Sequence, residues 1–224
     1  MNRLRKQLVG ILISLLLIYS NVFSQENYRF WDDVQTIKKF DKIYKPIDNP
    51  IVFVGSSSIR MWYDAENIFA KYKVINRGVG GTVVNDIIHY AQELIFDYNP
   101  RQVVIYVGEN DLGDGKTPAD TIFERTKRLF NTIRVKLPEI SIVYISIKPS
   151  PGRDYAKDIL KQTNVLVRAY ISTQKNMHYV DVFKSMIHKD SSYRTELFVS
   201  DKIHMTPEGY KIWVKTLKPY LLKK

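Results

Sequence analysis

Four short stretches of this sequence hold residue types that, brought together, can transfer an acyl group. Gly55-Ser56-Ser57-Ser58 follows the apolar run 51–54, and Gly78-Val79-Gly80-Gly81-Thr82 is a glycine-rich turn. Gly108-Glu109-Asn110-Asp111 follows a third apolar run, and Asp201-Lys202-Ile203-His204 sets a carboxylate three residues before a histidine. Acyl transfer needs a nucleophile, a base to take its proton, a carboxylate to orient that base, and hydrogen-bond donors for the oxyanion. The chain has no cysteine, so the nucleophile must be Ser, Thr, Lys, Asp, Glu, His or Tyr. Each stretch alone reads as ordinary turn chemistry, since Ser, Gly, Asn and Asp all favour turns. Of the histidines His89, His178, His188 and His204, the first falls in a predicted helix and the second opens a predicted strand. His188 lies in a polar stretch, and His204 alone combines a nearby acid, a loop and a following capped helix.

The elements that must position these residues follow from hydrophobic periodicity. Phe30, Val34 and Ile37 predict a short helix over 29–40. The continuous apolar run at 51–54 predicts a strand buried on both faces, and the short segments 73–76, 102–107, 140–147 and 178–183 predict four more strands. Between them the spacing predicts helices over 82–96, from a Thr117-Pro118 cap to Leu137, and over 154–174. Thr206-Pro207-Glu208 repeats the cap signal before a stripe of Tyr210, Trp213, Val214, Leu217 and Leu221. Strands that alternate with helices pair in parallel, so the expectation is one doubly wound α/β domain with about five strands and helices on both faces. Ligands of such sheets sit beyond the carboxyl ends of the strands, where all the stretches above fall.

In the blocks IVFVGSSSIR, NRGVGGT, GEND and DKIH, in that order, the chain resembles the SGNH, or GDSL-like, esterase/acylhydrolase family over roughly residues 50–222. The resemblance implies a flavodoxin-like sheet order. It implies Ser57 as nucleophile, Asp201 and His204 as the remainder of a catalytic triad, and an oxyanion hole from the Ser57 and Gly81 N–H groups and the Asn110 amide. One residue departs from the pattern: Ser56 stands where the family carries aspartate before the nucleophile. The implied activity is hydrolysis of short-chain acyl esters through an acyl-Ser57 intermediate that water resolves, with no metal or organic cofactor. O-acetyl groups on carbohydrates lead the substrate expectations. A lipid-directed acylhydrolase, lysophospholipase or thioesterase is the alternative within the family, and a non-catalytic glycan-binding protein of the same fold is the alternative outside it. Trp62, Tyr63 and Tyr106 lie near the expected site and either stack on a sugar ring or pack the sheet against its helices.

Other features bound the reading. Arg3, Arg5 and Lys6, the apolar run 8–18 and Val22-Phe23-Ser24 read as a signal peptide over 1–24, leaving a hydrolase domain over 25–224 in a secreted or periplasmic protein. The apolar run is shorter than the roughly 20 residues a spanning helix needs, so no stable membrane insertion is expected after signal removal. Of the formal net charge of +11, three positive residues belong to that segment. The rest is spread along the chain without a nucleic-acid recognition motif, so no nucleic-acid partner is expected. A nucleotide-binding reading fails on two counts. Asn110 stands where the phosphate-loop motif before Gly115-Lys116-Thr117 needs glycine, and Val83 stands where the dinucleotide fingerprint needs its third.

Overall fold

The computed structural model describes residues 28–113 and 115–223, so the expected signal segment lies outside the described residues. Five parallel strands form one sheet: β1 (Ile51–Gly55), β2 (Val74–Gly78), β3 (Gln102–Tyr106), β4 (Ser141–Ile145) and β5 (Met177–Val180), in the order β2-β1-β3-β4-β5. This is the flavodoxin-like order, which reverses direction between β1 and β3. The register is regular: Val52 lies beside Ile75 on one side and Val103 on the other.

Alternation along the strands builds two cores. Val52, Val54, Val103, Ile105, Ile142 and Tyr144 face one side of the sheet, and Ile51, Phe53, Val104, Tyr106, Val143 and Ile145 face the other. The first face is covered by helices α1 (Trp31–Ile43), α4 (Val84–His89), α5 (Ala91–Leu94), α6 (Ala119–Lys136) and α7 (Lys157–Ser172). The second is covered by α2 (Ser57–Arg60), α3 (Ala65–Ile68) and α8 (Pro207–Leu217), with loop residues Met186 and Leu197. Continuous apolar runs in β1 and β3 are what a strand needs when both faces are covered. Among the described residues, no helix is long and apolar enough to cross a membrane.

The structure corrects several sequence expectations. The helix expected over 82–96 is two short helices, because Tyr90 leaves helical geometry (φ −96°, ψ 21°) with its ring buried. Its hydroxyl donates to the Arg29 carbonyl at 3.1 Å. Pro118 is itself the N-cap of α6, with extended ψ of 150°, rather than its first helical residue. The segment Pro151–Ala156 is a 3₁₀ turn, so the α-helix expected from 154 begins at Lys157. At α8 the cap signal holds: the Thr206 hydroxyl accepts from the Gly209 N–H at 3.4 Å.

Trp62 and Tyr106 are 1% and 0% exposed and pack around Trp213, so neither can stack on a substrate. Their bulky apolar surfaces complete the second core instead. Of that trio only Tyr63 reaches solvent, at 83% exposure.

Candidate active site

Ser57 begins the turn of helix that leaves β1. Gly55 ends the strand at φ 146°, and a Cβ there would lie 1.9 Å from the Tyr106 carbonyl oxygen, so only glycine lets β1 and β3 close to this distance. Ser56 then caps α2 with extended geometry, and its carbonyl accepts from the Ile59 and Arg60 N–H groups. Two side chains clamp this turn from outside. Asn76 of β2 donates to the Ile59 carbonyl at 2.7 Å, and the Tyr210 hydroxyl of α8 donates to the Ser58 carbonyl at 3.0 Å. The α2 helix that starts at Ser57 is only this one turn, so its dipole adds little at the serine.

The acid and base share one tight loop. An antiparallel bridge pairs Phe198 with Met205, and the Val199 N–H donates to the His204 carbonyl at 2.9 Å. Within it, Asp201 Oδ1 accepts from the Ile203 and His204 N–H groups at 2.8 and 2.9 Å. Asp201 Oδ2 lies 2.6 Å from His204 Nδ1, and His204 Nε2 lies 2.9 Å from Ser57 Oγ. Burial pushes the Asp201 carboxyl up. The bond to the His204 ring and those from the His204 and Ile203 N–H groups outweigh it and hold the carboxyl down at about 2. Asp201 is therefore anionic near neutral pH. It selects the imidazole tautomer with its proton on Nδ1, leaving Nε2 to accept from Ser57. His89 stacks on Tyr28, His178 lies in β5, and His188 sits in a surface turn with Ser192.

The expected oxyanion donors follow the carboxyl ends of three adjacent strands, β2, β1 and β3. Gly81 has φ 82°, a left-handed conformation that favours glycine, and it is exposed. Among the described residues, no acceptor engages the Ser57 or Gly81 N–H. The Asn110 amide nitrogen donates to the Thr82 carbonyl at 3.1 Å, which leaves its second N–H for another acceptor. Asp111 explains how two distant turns are held together. Its buried carboxylate accepts from the Val84 N–H at 2.9 Å and from Arg125 at 3.0 Å, pinning the start of α4, just after Gly81, to the loop that carries Asn110. Burial nonetheless pushes the Asp111 carboxyl above its usual range.

A buried polar cluster under this loop escaped the sequence reading. Glu109 accepts from the Tyr106 hydroxyl at 2.8 Å, from the Ser150 hydroxyl at 2.5 Å, and from Lys148 in a fully buried ion pair. Burial raises the Glu109 carboxyl, but the adjacent Lys148 ammonium and these hydrogen bonds reverse the shift and hold it below its usual value. The signal was present in the sequence: Glu109 and Lys148 each close an apolar strand run, and a charge at a buried strand end needs a partner. What the sequence did not show was that the two partners are each other.

The arrangement thus presents a serine hydrogen-bonded to an oriented imidazole, with Ser57, Asn110 and His204 partly exposed. That is the equipment for nucleophilic attack on a carbonyl and for holding the resulting oxyanion. A model of the GDSL-like Lipase/Acylhydrolase family matches residues 55–212, which includes every one of these residues. The human platelet-activating factor acetylhydrolase IB subunit alpha1 is 22% identical over 178 residues, covering 77% of this chain and 75% of that protein. Among solved structures, a GDSL-like lipase from Bacteroides thetaiotaomicron superposes with TM-score 0.71 at 20% identity, covering 84% of this chain and 96% of that one. A catalytic mutant of an acetylxylan esterase from Geobacillus stearothermophilus superposes with TM-score 0.64 at 15% identity, covering 80% and 97%. At such identities the superpositions show a shared fold.

Proposed function

We propose that this chain, which belongs to the GDSL-like lipase/acylhydrolase family, is a serine hydrolase that cleaves short acyl esters through an acyl-Ser57 intermediate. The observation that carries the reading is the unbroken relay from Asp201 Oδ2 to His204 Nδ1 and from His204 Nε2 to Ser57 Oγ, at 2.6 and 2.9 Å. In this mechanism His204 takes the serine proton as Ser57 Oγ attacks the ester carbonyl carbon. The carbonyl oxygen becomes an oxyanion and accepts from the Ser57 and Gly81 N–H groups and from the Asn110 amide. His204 then passes the proton to the departing alkoxide. Water, deprotonated by His204, attacks the acyl-serine and releases the carboxylic acid and free Ser57.

For the substrate we favour O-acetyl groups on carbohydrates. The partial exposure of Ser57, Asn110 and His204 leaves room for a bulky polar alcohol portion, and a structural relative is an acetylxylan esterase. One observation favours a lipid ester instead. An apolar groove of about 470 Å³, lined by Met61, Tyr63, Ile68, Val199, Met205 and Val214, begins one residue after His204 and one helical turn after Ser57. The sequence of 1–24 supports action outside the cytoplasm, on a substrate met after export.

A p-nitrophenyl ester series from acetate to long acyl chains, run beside acetylated xylan and pectin, tests the assignment. Highest kcat/KM on acetyl esters with acetate released from polysaccharide supports the carbohydrate reading. Rates that rise with chain length refute it in favour of the lipid reading, and no turnover of any ester refutes the hydrolase assignment.

A further inference from the structure

We propose that Arg153 is a positioning residue of the oxyanion site, one whose guanidinium fixes which end of the Asn110 amide faces the substrate. The inference rests on the serine-hydrolase reading above and adds to it a residue outside the triad and the three donors.

A side-chain amide is nearly symmetric in shape but opposite in chemistry at its two ends. The nitrogen only donates and the oxygen only accepts. For Asn110 to hold an oxyanion, its nitrogen must face the reacting ester; the flipped amide would present an oxygen and repel the developing charge. Both neighbours of the amide enforce the productive orientation. The Thr82 carbonyl can only accept, and it takes one amide N–H at 3.1 Å. The Arg153 guanidinium can only donate, and its Nη2 lies 3.3 Å from Asn110 Oδ1. A flip would set carbonyl oxygen against carbonyl oxygen and NH₂ against guanidinium at once.

Arg153 is itself held for this task. Its Nη1 donates to the Gly113 carbonyl at 3.2 Å and to the Tyr155 hydroxyl at 2.8 Å. Tyr155 in turn donates to the same Gly113 carbonyl at 2.5 Å. The Gly113 N–H donates to the Asn110 carbonyl at 3.1 Å, so one guanidinium bridges both ends of the turn that carries the amide. The flanking residues reach the rest of the site. The Gly152 N–H donates to the Lys202 carbonyl at 2.9 Å, inside the loop of Asp201 and His204, and Ser150 binds Glu109. Segment 150–153 therefore joins the oxyanion loop to the acid–base loop, with Arg153 at the point of contact with the amide. A positive charge on the amide oxygen also draws electron density from the nitrogen, which makes the remaining N–H a stronger donor as negative charge develops.

The test measures kcat and KM for p-nitrophenyl acetate, and the rate of fluorophosphonate labelling, in the wild type, Arg153→Ala, Arg153→Lys, Asn110→Ala and the Arg153→Ala/Asn110→Ala double variant. Arg153→Ala should lower kcat by about tenfold, a fraction of the roughly 10²–10³ that loss of a whole oxyanion donor costs, with KM within about twofold. In the Asn110→Ala background the same substitution should change kcat by less than about twofold, because the group it acts through is gone. Arg153→Lys, which keeps a donor-only cation, should recover part of the rate, and it serves as the informative variant should Arg153→Ala not fold. Three results would overturn the inference: an unchanged kcat in Arg153→Ala, an equal loss in both backgrounds, or a rise in KM alone, the mark of a direct substrate contact. A wild-type chain that neither turns over the ester nor labels would overturn the hydrolase reading and this inference together. A wild-type chain that labels, beside an Arg153→Ala variant of unchanged kcat, would overturn this inference alone.

Discussion

Asp201→Asn isolates the orienting carboxylate with little disturbance of its loop. In the native loop Oδ1 holds the Ile203 and His204 N–H groups at 2.8 and 2.9 Å, and Oδ2 faces His204 Nδ1 at 2.6 Å. Asparagine keeps a carbonyl oxygen for the two backbone donors, so the loop should persist. It places an NH₂ group against Nδ1, which must then accept. The imidazole proton moves to Nε2, the atom 2.9 Å from Ser57 Oγ, and the base is lost. In a serine protease triad the equivalent change costs about 10⁴ in kcat. Here the Asp201 side chain is 45% exposed, so water screens its charge, and we expect a loss nearer 10³, or about 4 kcal/mol of transition-state stabilisation. Steady-state kinetics on p-nitrophenyl acetate would read the loss, with Tm within a few degrees of wild type. Asp201→Ala should lose the rate and also lower Tm, because it leaves two backbone N–H groups without their acceptor. A kcat for Asp201→Asn within tenfold of wild type would refute the orienting role.

Further outcomes follow from the same geometry. Asn110→Ala should lower kcat by about 10²-fold with little change in KM, measured on the same ester; a KM effect alone would make Asn110 a binding residue rather than an oxyanion donor. Lys148→Met strands the buried Glu109 carboxylate and should cost about 3–5 kcal/mol in urea unfolding, while Lys148→Met/Glu109→Gln should recover much of it; a cost under about 1 kcal/mol for the single change would show that the pair does not brace the loop. The Asp201 carboxyl is depressed to about 2, so its contribution to stability is fully present above the ordinary carboxylate value of 3.8 and is lost as pH falls toward about 2. The stability difference between wild type and Asp201→Asn should therefore shrink as pH falls from about 4 toward about 2; a difference that persists unchanged to about pH 2 would contradict this assignment.

What the sequence disclosed, and what it withheld, divides along physical lines. Strands β1 and β3 are legible because both faces of the sheet are covered there, which writes continuous apolar runs at 51–54 and 103–107. Asp201 and His204 were legible because both lie on one short loop, so their spacing in the chain is their spacing in the site. Ser57, Gly81 and Asn110 sit in separate segments; motifs after consecutive strand ends mark those stretches, and the family resemblance singles out the three residues. Partners that meet only through the fold were not legible. Glu109 and Lys148 are 39 residues apart, and Asn110 and Arg153 are 43 apart. The same limit explains the helix expected over 82–96. Its periodicity was sound, but the Tyr90 hydroxyl bonds to the Arg29 carbonyl 61 residues earlier, a demand that no local window carries. Of the two readings open for Trp62 and Tyr106, the structure bears out packing of the sheet against its helices, because the second face of the sheet needs their bulk.

In the proposed reaction Ser57, activated by His204, forms the covalent acyl intermediate. Peptide mapping by mass spectrometry after fluorophosphonate treatment tests it most directly. The wild type should carry a single stoichiometric adduct on Ser57, Ser57→Ala should carry none, and labelling should slow by at least about 10³-fold in His204→Ala. An adduct on Ser56 or Ser58, or an unmodified protein after prolonged treatment, would contradict it.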